Sequence, residues 1–152
     1  MAAALKQRID DDLKAALLSG DRFAAQTLRG LKAAVLNEEV ALGRRDEGLN
    51  DDEVEKIIAK EVKKRNESIT LYEQNARPEL AEDEKKEAAI ISVYLPQQLS
   101  EEEIKEIIAA KVAELGASGP QAMGQVIGAV KGQVGNTADG GTIARLVKEA
   151  LN

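Results

Sequence analysis

The stretch Tyr94-Leu95-Pro96-Gln97-Gln98-Leu99-Ser100 divides the chain into two helical bodies. Pro96 has no amide proton and its ring disfavours helical geometry at Leu95, so a helix arriving from the N-terminal side is predicted to stop there. Ser100, followed by Glu101, Glu102 and Glu103, has the pattern of a capping box. In that pattern the hydroxyl and the third-position carboxylate satisfy free amides at the start of a new helix. Tyr94, Leu95 and Leu99 are apolar. They predict a link anchored in both bodies, with residues 96–99 as a hinge.

Working outward from this junction, apolar residues recur at intervals of three and four, and two-residue alternation is missing. That pattern predicts an all-α protein of seven helices. Leu5, Ile9, Leu13, Ala16 and Leu17 mark the first helix, closed by Ser19 and Gly20. Phe23, Leu28, Leu31, Val35 and Leu42 mark the second. A charged turn from Arg44 to Leu49 leads to Asn50, a cap with Glu53 three residues on. The third helix carries Val54, Ile57, Ile58, Val62, Ile69 and Tyr72 and ends before Arg77 and Pro78; the fourth carries Leu80, Ala88, Ile91, Tyr94 and Leu95 and reaches the hinge. Residues 1–95 are therefore predicted to form a four-helix bundle. Residues 100–152 are predicted to form a three-helix body from Ile104, Ile107, Ile108, Val112 and Leu115, then Met123, Val126, Ile127 and Val130, then Ile143, Leu146, Val147, Ala150 and Leu151, with Ser118 capping the sixth helix.

Composition narrows the chemistry. The 152 residues include no Cys, His or Trp, which removes thiolate nucleophiles, imidazole bases and the usual zinc ligand sets. No catalytic residue, cofactor or metal ligand set is predicted. With 27 acidic against 21 basic residues the net charge is −6, which opposes indiscriminate attachment to phosphate backbones. Any contact with nucleic acid must be local. No segment approaches the roughly 20 apolar residues that span a bilayer. Met1 to Ile9 also lacks the apolar core of a secretory signal, so a cytoplasmic location is expected.

Four features stand out as candidates. Lys56, Lys60, Lys63 and Lys64 fall on one side of the third helix, opposite its apolar stripe. They are either a solvated face balanced by nearby glutamates or a track for RNA phosphates. Arg65 falls on the apolar side of the same helix, Glu38 on that of the second, and Glu84 and Glu87 on that of the fourth. A guanidinium turned inward needs carboxylate partners, so Arg65 is predicted to meet Glu38, Glu87 or both as a structural network. Gly124, Gly128 and Gly132 share one side of the sixth helix. Glycine costs roughly 1 kcal/mol relative to alanine there, so another backbone is expected to approach. That backbone is either a neighbouring helix or an external RNA or protein. Finally, Lys131, Arg145 and Lys148 are the basic residues that follow Lys111.

The chain resembles the GatB/YqeY family, and most closely the stand-alone YqeY-like proteins. The resemblance runs nearly end to end. It rests on Lys64-Arg65 with Ser68 and Tyr72, Arg77 with Glu79-Leu80, Glu84 with Glu87, and the Tyr94 to Ser100 stretch. Beyond these come Met123-Gly124, Val126-Ile127-Gly128 and Ala138-Asp139-Gly140 leading to Leu146-Val147. The resemblance implies a four-helix body followed by a three-helix body. It also implies kinship with the tail of the B subunit of the glutamine-dependent amidotransferase that amidates Glu-tRNA or Asp-tRNA. In that enzyme the tail engages tRNA and a separate domain carries the activation chemistry. The implied role is a noncatalytic tRNA-binding or tRNA-associated module working alone or beside an amidotransferase or aminoacyl-tRNA synthetase. Gly124, Gly128, Lys131, Arg145, Lys148 and the third-helix lysines are its candidate contacts. A protein-binding adaptor is the alternative, and a carbon-nitrogen ligase label with glutamine as amide donor would be inherited from the larger relative. One departure bears on this: related chains often carry lysines before the Ala-Asp-Gly motif, whereas Gly132 to Thr137 has none here.

Overall fold

Seven α-helices make up the regular structure of residues 4–152, which the computed structural model describes, and no strand occurs among them. They are α1 (Ala4–Ser19), α2 (Arg22–Ala41), α3 (Asp51–Gln74), α4 (Pro78–Ser92), α5 (Glu101–Leu115), α6 (Met123–Val134) and α7 (Gly140–Leu151). Single 3₁₀ turns at Pro120–Ala122 and Gly135–Thr137 flank α6. The chain divides between Leu95 and Pro96 into two compact units of four and three helices.

In the first unit each helix contributes an apolar stripe to one core: Ile9 from α1, Leu31 from α2, Val54 and Ile58 from α3, and Ile91 from α4 are fully enclosed. The Leu5 amide donates to Asp51 Oδ1 at 3.0 Å, which sets the starts of α1 and α3 side by side. Asn50 and Glu53 form the capping box anticipated from their spacing, and Pro78 opens α4 where its missing amide proton costs nothing. The α3–α4 connection holds Ala76 at φ +56°, a left-handed conformation that strains a residue with a Cβ.

Ahead of Pro96 the regular helix ends at Ser92, three residues before the expected stop. The backbone continues through two tighter bonds, Tyr94 amide to Ile91 carbonyl at 3.3 Å and Leu95 amide to Ser92 carbonyl at 3.1 Å. This winding relieves the conflict between Leu95 and the proline ring over a full turn rather than at one residue. Tyr94 is buried, its hydroxyl donates to Asp12 Oδ2 at 2.5 Å, and the Arg8 guanidinium lies 4.8 Å from its ring centroid. Burial, and then the Asp12 carboxylate, push the Tyr94 phenol well above its ordinary pKa.

In the second unit Ile108, Val126, Val130, Ile143 and Val147 form the centre, with Leu99 packed at its margin. The Leu99 amide donates to the Thr137 carbonyl at 2.8 Å, and Ser100 caps α5 in a full capping box. Ser118 does not cap α6. The proline at position 120 starts a 3₁₀ turn, and the α-helix begins only at Met123 without a side-chain cap. Proline's fixed φ favours the first position of a helical segment, so the break falls between Gly119 and Pro120.

Candidate functional site

The inward-facing charges of the first unit come together in two places. Arg65 is largely enclosed, with Nη1 3.0 Å from Glu61 Oε2 and Nη2 3.6 Å from Glu87 Oε1. Its Nε is buried without a hydrogen-bond partner. Glu84 stands half-buried nearby; burial and then the Glu87 carboxylate raise its pKa, while Arg65 opposes the rise. Glu38 takes no part. It is exposed, although it lies about as far from the apolar axis of α2 as its neighbour Glu39, which is the buried glutamate of that helix. Burial alone would raise the Glu39 pKa, yet it is lowered. Lys6 Nζ donates to Glu39 Oε2 at 2.7 Å and the Leu49 amide donates to it at 3.0 Å, and these two bonds outweigh desolvation. A cleft of about 310 Å³ between α1 and α2 runs past this pair, with Lys32 held to Asp10 at 2.6 Å on its rim. Both cations of the cleft are thus already paired.

The four lysines of α3 are exposed as a ribbon, but its charge is partly neutralised by the same helix. Lys56 pairs with Asp52 at 3.1 Å and Lys64 with Glu61 at 3.4 Å. Such one-turn pairs are worth only a few tenths of a kcal/mol, about 0.3–0.5, so they are easily exchanged for another anion.

The glycines of α6 present a different picture. Gly124, Gly128 and Gly132 are exposed, and a Cβ added at any of them would meet nothing within 4 Å. The close approach expected from a neighbouring helix is therefore absent, because Val126, Val130 and Val134 turn the other side of α6 to the core. At 100° per residue Lys131 lies on the glycine side, one turn beyond Gly128. Its ammonium reaches the start of α7, where Nζ stands 3.4 Å from the position a Cβ on Gly140 would take. Asp139 caps that helix, its carboxylate accepting from the Thr142 amide at 2.9 Å. Lys148 is exposed on α7. Arg145 is also exposed but engaged: it bonds Glu101 and lies 3.4 Å from Glu149, and these carboxylates raise its pKa.

Two arginines escaped the sequence reading. Arg22 and Arg29 are exposed on α2, and neither side chain has an ion pair or hydrogen bond among the described residues. Their signal was the run from Arg22 to Asn37, which holds no Asp or Glu. Among the described residues no group of three or more Asp or Glu is placed to hold a metal ion, and no helix is long and apolar enough to cross a membrane.

Comparison with known proteins follows the same outline. Among curated proteins, the chain is similar to "Altered inheritance of mitochondria protein 41, mitochondrial" of Clavispora lusitaniae, 32% identical over 117 residues, which cover 76% of this chain and 66% of that protein. The protein of the same name from Lachancea thermotolerans is 32% identical over 111 residues, 72% of this chain and 58% of the relative. That of Eremothecium gossypii is 36% identical over 87 residues, 57% and 46% of the two. The matched region spans about half to two thirds of these relatives, from 46% to 66%. A family model described as "Yqey-like protein" matches residues 6–151, that is, nearly the whole of both helical units, and the chain belongs to that family.

Proposed function

We propose that this protein is a noncatalytic tRNA-binding helical module, with the glycine side of α6 and the start of α7 as its principal contact. The open glycine side carries the reading. Each exposed helical glycine costs about 1 kcal/mol relative to alanine, and nothing within the unit occupies the space gained. A ribose-phosphate backbone lying along Gly124 and Gly128 would use that space and meet the Lys131 ammonium at its end. The surroundings suit an anion: from Leu115 to Lys148 the chain has one acidic residue, Asp139, against Lys131, Arg145 and Lys148. Kinship with the tail of the amidotransferase B subunit, read from the glycine and Ala-Asp-Gly motifs, points the same way. It makes an amidotransferase or aminoacyl-tRNA synthetase the natural companion.

Lys131 and Lys148 supply the charge in this reading, while Arg145 must first exchange Glu101 for phosphate. The lysines of α3 serve as a second, weaker electrostatic contact. The test is fluorescence anisotropy of labelled, unfractionated tRNA titrated with the protein between 50 and 200 mM salt. The affinity should fall steeply with salt, and Lys131→Gln with Lys148→Gln should flatten the log–log slope by about 1.5. Binding indifferent to both salt and these substitutions, or no binding at all, overturns the proposal. So does glutamine- and ATP-dependent amidation by the purified protein.

A further inference from the structure

The outer face of α2 carries two arginines, Arg22 and Arg29, with no partner among the described residues. Placed at 100° per residue, Arg22, Gln26, Arg29 and Ala33 fall within about 60° of one another, opposite Leu28, Leu31, Val35 and Glu39. The buried set confirms the phase, since those four residues are enclosed while Arg22, Gln26, Arg29 and Ala33 are exposed. Gly30 borders the strip, and a Cβ there would meet nothing within 4 Å. No acidic residue interrupts it between Arg22 and Asn37, although the chain as a whole carries 27 acids and a net charge of −6. Two carboxylates of α1 and of the turn before α2 are committed elsewhere. Asp21 caps α2 by accepting from the Ala24 amide at 3.1 Å, and Asp10 holds Lys32 at 2.6 Å.

Of the four cations of the α3 ribbon, Lys56 and Lys64 pair with carboxylates of their own helix, and Lys63 is engaged as well. The α2 strip has two, both unpaired among the described residues. Guanidinium forks match phosphate oxygens in bidentate geometry, and an arginine with no prior partner gives up no ion pair on binding. At 1.5 Å per residue the two arginines stand about 10 Å apart along the helix. That span suits two phosphates of one nucleic-acid backbone, with the bare backbone at Gly30 beside Arg29 leaving room for it.

We propose that the α2 strip of Arg22, Gln26 and Arg29 is a phosphate-gripping surface for RNA, separate from the α6–α7 contact and stronger than the α3 ribbon. This rests on the tRNA-binding reading above, and the experiment separates the two. Full-length protein, Arg22→Gln/Arg29→Gln, Lys60→Gln/Lys63→Gln and Lys131→Gln/Lys148→Gln are titrated against labelled unfractionated tRNA at several salt concentrations. Thermal melts accompany the titrations. Both arginines are exposed and glutamine is a good helix former, so the α2 variant should keep the parent melting temperature. Its affinity should fall about tenfold at 100 mM salt, with the log–log slope reduced by about 1.5, against less than threefold for the α3 variant. Unchanged affinity and slope in the α2 variant, with tRNA still bound by the parent, overturns this inference alone. Loss of affinity for a polyglutamate probe with tRNA binding intact also overturns it, by assigning the strip to an acidic protein. Failure of the parent protein to bind tRNA overturns the underlying reading and this inference with it.

Discussion

The two units differ in what they bury and in what they leave bare. The first encloses Glu39, which accepts hydrogen bonds from Lys6 and the Leu49 amide, and most of Arg65, which donates to Glu61 and forms an ion pair with Glu87. In the second, every described residue in the buried class is apolar, and the unusual feature is an exposed strip of helix backbone. Charges inside a fold make its stability depend on pH and on single partners; glycines outside it lower stability without any internal return. The first unit thus differs from the second in burying charge, and the second from the first in exposing a strip of glycine backbone.

Glu39→Ala should give the largest effect, costing about 2–4 kcal/mol in urea unfolding, because it strips Lys6 and the buried Leu49 amide of their acceptor. Its pKa is lowered in the fold, so the stabilisation is complete above the ordinary carboxylate value and is lost as pH falls through the lower, folded-state value. An acid titration of stability that is equally steep for the parent and Glu39→Gln would remove this contrast between the units. Tyr94→Phe should cost about 1–2 kcal/mol by deleting the bond to Asp12, with little change in the ring packing beneath Arg8. Glu84 works in the opposite direction. Its raised pKa means that stability declines as pH rises through the ordinary carboxylate value toward the folded one, so Glu84→Gln should stabilise the protein at pH 7 by up to about 1 kcal/mol. Destabilisation by that change would mean that Arg65 depends on the Glu84 charge. The smallest effect belongs to the strained turn, where Ala76→Gly should raise stability by about 0.5 kcal/mol, measured by the same unfolding curves.

Much of this was legible in the residues themselves. Pro96, Ser100 and Asn50 act through chemistry confined to one helix turn, so their reading needs no tertiary information. The Arg65–Glu87 contact was legible because an inward guanidinium demands a carboxylate, although Glu61, one turn back on the same helix, is nearer. The confusion of Glu38 with Glu39 has a tertiary cause: Glu39 is turned inward by a donor at Leu49, brought there by the loop after α2. Spacing alone revealed the glycine strip of α6, but not that open space lay before it, since a stripe of small residues looks the same whether it faces a helix or solvent. Arg22 and Arg29 were passed over because they are separated in sequence. Their significance lies in the acid-free face between them, which only the helix phase exposes.

The most direct test pairs stability with binding in Gly124→Ala and Gly128→Ala. Open space at both positions predicts that each change raises the unfolding free energy by about 1 kcal/mol. If the bare backbone is the RNA contact, the same two methyl groups should weaken tRNA binding while the protein becomes more stable. A more stable protein that binds tRNA as tightly as before would contradict the account.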